Sequence, residues 1–126
     1  IISSGEMMAL YAANNIAQAI GNFSKRGYAQ LKGIILNAKN IENEHDIVQR
    51  AADEIGTEVV ACVPRSSDIQ TAEHSGGTVF QYLPTSGMCD VYNNLADTIL
   101  CLTQEETMKH EGVSANFRLN KARQVI

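Results

Sequence analysis

The chain is short of cysteines, of basic residues and of long apolar runs, and each shortage excludes a class of protein. Its three cysteines are an odd number at wide and unequal spacing, which fits neither a disulfide framework nor a zinc or iron–sulfur ligand pattern. The net charge is −4 and no cluster of lysine and arginine offsets it, which argues against a nucleic-acid-binding surface. No apolar stretch is long enough to cross a membrane and the first residues do not form a signal peptide, so we expect a cytoplasmic protein.

The sequence also lacks the common constellations of catalysis and metal binding. Its three histidines are scattered and share no ligand-like spacing with cysteines or carboxylates. There is no Ser/His/Asp set, and Gly76-Gly77 lacks the Lys-Ser/Thr that follows glycine in a phosphate loop. The acidic residues Glu42, Glu44 and Asp46 are explained by their favourable place at the start of a helix. We therefore predict no catalytic residue and no metal ligand in this chain.

What the sequence does contain is an alternation of short apolar runs and helical patterns. The apolar runs predict strand residues at 1–3, 31–36 and 57–63, and the helical periodicity predicts helices at 7–23, 41–55, 68–74 and 91–102. Strands that alternate with helices at such spacing form right-handed βαβ units. We therefore predict the α/β class, with a parallel sheet covered on both faces in three layers. Three strands are few for an open sheet, so we expect the C-terminal portion of a longer protein.

Individual residues give finer expectations. Ser3 and Glu6 have the spacing of a capping box at the first helix. Cys62 lies inside an apolar run and is expected to be a small buried residue, whereas residues 78–82 are expected to be extended because Pro84 ends them. The apolar stripe of the first helix is expected to consist of Met7, Leu10, Tyr11, Ile16, Ala19, Ile20 and Phe23.

Polar residues follow two of the predicted strands, at the edge where parallel sheets bind ligands. Asn37 presents both a donor and an acceptor and can match one edge of a purine base. Pro64 ends the other strand, Arg65 offers a planar cation, and Ser66 can cap the next helix. These groups predict a pocket for a base and a ribose. Each also has a simpler explanation, because Asn37 suits a turn, Arg65 a solvated surface and Ser66 a helix cap.

The run Ser-Gly-Glu-Met-Met-Ala-Leu-Tyr-Ala-Ala-Asn-Asn-Ile at 4–16 closely resembles the nitrogenase iron protein family. Shorter pieces continue the resemblance in order: Gly33 to Asn37 with Asn40, Val63-Pro64-Arg65, Gln70 with Ala72-Glu73, Thr78-Val79 with Tyr82 and Pro84, and Asp90 with Tyr92 and Leu95-Ala96. The resemblance extends to about Leu102. We therefore expect an iron-protein-like domain at 1–102 and a polar tail of uncertain structure at 103–126.

The resemblance implies a phosphate-loop NTPase fold and a homodimeric protein that hydrolyses MgATP to pass single electrons. The electrons would come from a [4Fe-4S] cluster, whose cysteine ligands would precede this segment, and would go to a partner reductase. Neither a nucleic acid nor a membrane is implied. The residues that the resemblance places at the adenosine half of the nucleotide are Asn37, Pro64, Arg65, Ser66, Gln70, Glu73 and Tyr92. In this comparison Asn37 reads the adenine edge, Tyr92 closes over the base, and Gln70 and Glu73 line the ribose.

Departures from the family pattern leave alternatives open. Ser66 stands where the family usually has Asp, and Met88 where a Gln is common. These changes suit a nitrogenase-like reductase, with a tetrapyrrole-reducing partner, as well as a nitrogenase component. A second hypothesis is a partitioning or septum-positioning ATPase of the same fold without a cluster, suggested by a weakly amphipathic basic end. A third is a fragment without activity of its own.

Overall fold

The computed structural model of the protein describes residues 1–110, with side chains as far as Gln104. The described residues divide into two compact units, Ile1–Arg65 and the residues from Ser66 onward. Within residues 1–110, no helix combines the length and the hydropathy that a membrane crossing requires.

The first unit is a three-stranded parallel sheet with two helices. Its elements are β1 (Ile2–Ser3), α1 (Met7–Ser24), β2 (Ile34–Asn37), α2 (Glu44–Ile55) and β3 (Val59–Val63). The strands lie in the order β1-β2-β3 and both neighbouring pairs are parallel. The predicted alternation of strands and helices around a parallel sheet is therefore confirmed in this unit. The carboxyl ends of all three strands face one edge of the sheet.

The core of the first unit forms between β2 and α2. Ile34 and Leu36 alternate along β2, while Val48 and Ala52 lie one helical turn apart on α2, and all four are at most 1% exposed. The spacing of two in the strand and four in the helix brings these side chains onto facing surfaces. Gly56 ends α2 in the left-handed conformation, at φ 88°, as its position after the apolar pattern predicts.

The start of α1 differs from the expectation. Ser3 does not cap the helix, because it belongs to β1 and is buried, with its hydroxyl donating to the carbonyl of Ser4. The N-cap is Glu6, without a side-chain capping bond. The expected apolar stripe is also only partly right: Leu10 packs against the core, but Met7 and Tyr11 are 79% and 64% exposed.

The second unit is helical over its described residues. It contains α3 (Ser67–His74), α4 (Val79–Tyr82) and α5 (Gly87–His110). The prediction of an extended segment at 78–82 is wrong, because a capping box starts a helical turn there. The Thr78 hydroxyl accepts a hydrogen bond from the backbone amide of Gln81 at 3.3 Å. In return, the Gln81 side chain accepts a hydrogen bond from the backbone amide of Thr78 at 2.9 Å. These two bonds override the strand preference of Thr-Val-Phe.

The last helix is longer than the periodicity predicts. It begins at Gly87, where the Ser86 hydroxyl accepts from the amide of Met88 at 3.2 Å, and continues to His110. The division of the chain at residue 102 stays a prediction, and residues 111–126 of the expected tail lie outside the described residues.

Ser66 caps α3, and the loss of its hydroxyl should measurably lower the stability of the fold. Its hydroxyl accepts from the amide of Asp68 at 3.2 Å. We expect Ser66→Ala to lower the free energy of unfolding by about 1 kcal/mol, the usual effect of losing such a cap. The matched control is Ser67→Ala, because Ser67 is exposed and its hydroxyl makes no capping bond. Equal denaturation midpoints for the two variants would contradict the capping role.

Candidate functional site

In the first unit the predicted site residues lie at neighbouring strand ends. Asn37 is the last residue of β2 and is in register with Val63, the last residue of β3. The amide of Ala38 donates to the carbonyl of Val63 at 2.9 Å, so the two chains are still paired as they leave the sheet. Asn37, Pro64 and Arg65 are all exposed there. The structure therefore brings these three residues to one edge of the sheet with their side chains open to solvent.

The segment after Asn37, residues 38–43, is called here the Asn37 loop. Asn40 and Asn43 lie in it at φ 60° and 55°, a left-handed conformation that asparagine tolerates better than most residues. Such positions cost free energy and persist only where neighbouring contacts impose them. One contact that holds this loop comes from Glu44, the first residue of α2, whose carboxylate accepts a hydrogen bond from the amide of Lys39.

Glu44 is a buried carboxylate that accepts hydrogen bonds from the backbone amides of two loops. Its side chain is 6% exposed, and Oε1 accepts from the amide of Lys39 in the Asn37 loop at 2.8 Å. Oε2 accepts at 2.9 Å from the amide of Gly5, in the β1–α1 turn (residues 4–6). Sequence reasoning attributed Glu44 to the helix dipole and missed this role. The available signal was its spacing: Glu44, Val48 and Ala52 repeat every four residues and share the buried face of α2.

The charge of Glu44 follows from these contacts. Burial alone would raise the pKa of this carboxyl, but the backbone N–H groups of Gly5, Lys39, Ile41 and Asn40 outweigh it and hold the pKa below its ordinary value. The carboxylate is therefore ionised at neutral pH. Partial burial of the thiol, and then the charge of Glu44, raise the pKa of Cys62.

A second, weaker interaction, an ion pair open to solvent, also joins these two loops. The Lys39 ammonium lies 3.4 Å from Glu6 Oε2, and the two side chains are 47% and 51% exposed. The Ser4 hydroxyl donates to the same Glu6 oxygen at 3.2 Å. Solvent screens such a pair, so we attribute little stability to it.

In the second unit, two predicted site residues line one pocket. Glu73 of α3 and Tyr92 of α5 face an open cavity of about 330 Å³. The remaining lining residues are Ile69, Gly77, Thr78, Val79 and Phe80. The rings of Phe80 and Tyr92 lie 6.5 Å apart at 44°, which gives the pocket an aromatic side. Gln70 is exposed on α3 and does not line the cavity, and the Ser66 hydroxyl is engaged as a cap.

A further contact in the second unit fixes the starts of α3 and α5. The Ser86 hydroxyl donates to the Asp68 carboxylate at 2.5 Å while it accepts from the amide of Met88. Met88, which stands where the resembled family often has Gln, is buried and 5% exposed. Its side chain therefore contributes to packing and is not available to a ligand.

The cysteines do not assemble a metal site. Cys62 is exposed, against expectation, because β3 is an outer strand of the described sheet and packing covers Val60 and Val63 but not Cys62. Cys89 is buried and its thiol donates to the carbonyl of Leu83 at 3.5 Å. Cys101 follows Cys89 by twelve residues on α5, which separates them by about 18 Å along the helix axis.

No group of three or more His, Cys, Asp or Glu residues suited to a metal ion is found over the described part of the chain. A [4Fe-4S] cluster is held by four cysteine thiolates. Cys89 is buried with its thiol bonded to a backbone carbonyl and lies about 18 Å from Cys101 along α5, so these two cysteines do not fit such a cluster.

A larger cavity lies elsewhere in the first unit, at the opposite end of the strands. It measures about 400 Å³ and is lined by residues of α1 and α2 together with Leu31 and Gly56, which precede β2 and β3. Ligands of parallel α/β sheets bind at the carboxyl ends of the strands. We therefore place the candidate site at the edge that carries Asn37 and not in the larger cavity.

The chain matches the model of a known protein family. The model described as "4Fe-4S iron sulfur cluster binding proteins, NifH/frxC family" matches residues 1–117. The match includes every residue of the candidate site and both strand ends that carry it.

Proposed function

The chain belongs to the NifH/frxC family of 4Fe-4S iron–sulfur cluster binding proteins, and from this membership we propose that it supplies the adenosine-binding side of an ATP-dependent electron-transfer protein. The family is of the phosphate-loop NTPase type, and its members bind MgATP and a 4Fe-4S cluster. The parallel α/β sheet of the first unit is consistent with that class.

The observation that carries the proposal is the pairing of the strand ends at Asn37 and Val63. Asn37 offers an N–H donor and a carbonyl acceptor on one planar group, which can pair with the amino group and ring nitrogen of adenine. Arg65 offers a flat cation beside it, suited to a base face or a phosphate oxygen. Pro64 ends the strand, so that the chain turns out of the sheet at this point.

The pocket of the second unit supports a nucleotide ligand by its own chemistry. Phe80 and Tyr92 present aromatic surface on which a base can stack, and Glu73 presents a carboxylate that can accept from ribose hydroxyls. We include Gln70 and Ser66 among the residues proposed to contact the adenosine part of the nucleotide. Gln70 has an exposed side chain free for such a contact, whereas Ser66 can contribute only while it also caps α3.

In the intact protein the cluster would supply the transferred electron, and its ligands would come from residues other than those described here. The role that we propose for this chain is nucleotide binding: to hold the base and ribose and to orient the nucleotide. We further propose that the protein acts in the cytoplasm as a homodimer and docks on a catalytic partner component. In this proposal the partner is either a nitrogenase component or a tetrapyrrole-type reductase.

The alternative of a partitioning or septum-positioning ATPase is the weaker one. The family to which the chain belongs is defined by cluster binding, which that alternative lacks. The basic end that suggested it lies outside the described residues.

The test is Asn37→Ala in the intact protein, with ATP and GTP affinities measured by calorimetry in the presence of Mg²⁺. We expect ATP to bind about tenfold more weakly and GTP to be little affected, because an amide pair with adenine contributes one to a few kcal/mol of discrimination. Asn22→Ala is the matched control, since Asn22 is an exposed amide on α1 in the same unit. An unchanged ATP/GTP ratio in Asn37→Ala would remove the proposed role of this residue.

A further inference from the structure

Over the described residues, 1–110, no side-chain hydrogen bond joins Asn37 to another residue, so its orientation depends on the loop that follows it. That loop contains two left-handed asparagines, and its backbone amide at Lys39 donates to the Glu44 carboxylate at 2.8 Å, with the N–H groups of Asn40 and Ile41 also acting on its charge. A carboxylate that accepts several backbone N–H bonds fixes a loop more firmly than a neutral acceptor, because charge-assisted bonds are roughly twice as strong. Glu44 is thus the main polar constraint on the Asn37 loop among the described residues.

The same carboxylate reaches the β1–α1 turn through the amide of Gly5. The approach is so close that a Cβ atom at Gly5 would lie 2.7 Å from Glu44 Cγ, which is inside van der Waals contact. Glycine is therefore required at this position for Glu44 to bridge the two loops. The bridge links the carboxyl ends of β1 and β2 through one buried charged group.

We propose that Glu44 is a positioning residue for base recognition: it holds the Asn37 loop against the β1–α1 turn so that the Asn37 amide is presented in one orientation to the adenine edge. The inference rests on the proposed function of Asn37 and deepens it. It assigns base selectivity to a residue that does not contact the nucleotide. Loss of Glu44 should then weaken the choice of base more than the binding of the phosphates.

The experiment is Glu44→Gln in the intact protein, measured with ATP and GTP in the presence of Mg²⁺. Glutamine keeps the size of the side chain but replaces one accepting oxygen with an N–H₂ group, which faces a backbone N–H and cannot accept from it. We expect the ATP/GTP affinity ratio to fall about tenfold, as in Asn37→Ala. Glu42→Gln is the matched control, because it removes the same charge from an exposed position in the same loop.

The double variant Asn37→Ala/Glu44→Gln separates positioning from general destabilisation. If Glu44 acts through Asn37, the second substitution changes the ATP/GTP ratio no further, because the two effects are not additive. A merely structural role would instead lower the affinities for both nucleotides and add to the effect of Asn37→Ala. An unchanged ratio in Glu44→Gln, together with a reduced ratio in Asn37→Ala, overturns this inference and leaves the proposed function standing. An unchanged ratio in Asn37→Ala overturns the proposed function.

Hydrogen exchange of the unaltered protein tests the bridge even if Glu44→Gln does not fold. The lowered pKa of Glu44 means that its stabilising effect is complete above the ordinary carboxyl pKa and is lost as the pH falls through the lower folded-state pKa. The amides of Gly5 and Lys39 should lose protection together in that range. Cys62 is the titratable group that the charge of Glu44 affects, and Glu6, which pairs with the Lys39 ammonium at 3.4 Å, is the second carboxylate at the same two loops. The variant Glu6→Gln separates the contribution of that second carboxylate from the contribution of Glu44. Independent loss of protection at the two amides would overturn the bridge.

Discussion

Leu36→Ala is expected to lower the free energy of unfolding by about 3 kcal/mol, the largest change that we predict for a single substitution. Leu36 is 1% exposed in the centre of β2, where it packs with Val48 and Ala52 of α2. Replacing a buried leucine with alanine removes the transfer free energy of the lost methyl groups and leaves a cavity, and such changes cost about 2–5 kcal/mol. Denaturation in urea or guanidinium measures the effect through the midpoint.

The control for Leu36→Ala is Ile2→Ala. Ile2 lies in β1 of the same sheet but is 68% exposed, so its truncation should change the free energy of unfolding by about 0.5 kcal/mol or less. Similar losses for both variants would mean that the core does not lie between β2 and α2. Because Leu36 directly precedes Asn37, a loss of order in β2 should also weaken nucleotide binding.

Gly33→Ala is the second large effect, and it arises from close packing of backbone and side chain. A Cβ atom at Gly33 would lie 2.3 Å from Val60 Cγ1 and 3.2 Å from the carbonyl oxygen of Glu58. Val60 is 3% exposed and cannot move aside without disturbing the core. We expect a loss of about 2 kcal/mol, within the range for overpacked sites.

Gly21→Ala is the same chemical change as Gly33→Ala, but we expect it to stabilise the protein. Gly21 lies in α1, and a Cβ atom there would meet nothing within 4 Å. Alanine favours a helix interior over glycine by about 0.5–1 kcal/mol, so this variant should be slightly stabilised. Destabilisation of both glycine variants to the same degree would show that the contact with Val60 is not the cause.

The sequence predicted the first unit well because its signals are local and agree with each other. Compact apolar runs alternate with helical patterns, and Gly56 and Pro64 mark where elements end. Asn37 and Arg65 could be placed at strand ends for the same reason. Asn37 and Arg65 lie close together because their strands pair in parallel, as a βαβ pattern implies.

Other features could not be predicted because they depend on competition between contacts. Thr-Val-Phe at 78–80 favours a strand, but the two reciprocal bonds of Thr78 and Gln81 select a helical turn. The exposure of Cys62 depends on β3 being an outer strand, which composition does not indicate. Glu44 was assigned to a favourable helix start, and only its phase with Val48 distinguishes it from its exposed neighbour Glu42.

The close contact between Gly5 and the carboxylate of Glu44 restricts which substitutions this protein can accept during evolution. A larger side chain at position 5 would push the acid out, and a neutral or shorter side chain at position 44 would leave the tight glycine turn without its partner. Neither residue can be exchanged alone without loss, although the two are separated by 39 positions in the chain. The two sites are therefore expected to change together or not at all in related proteins.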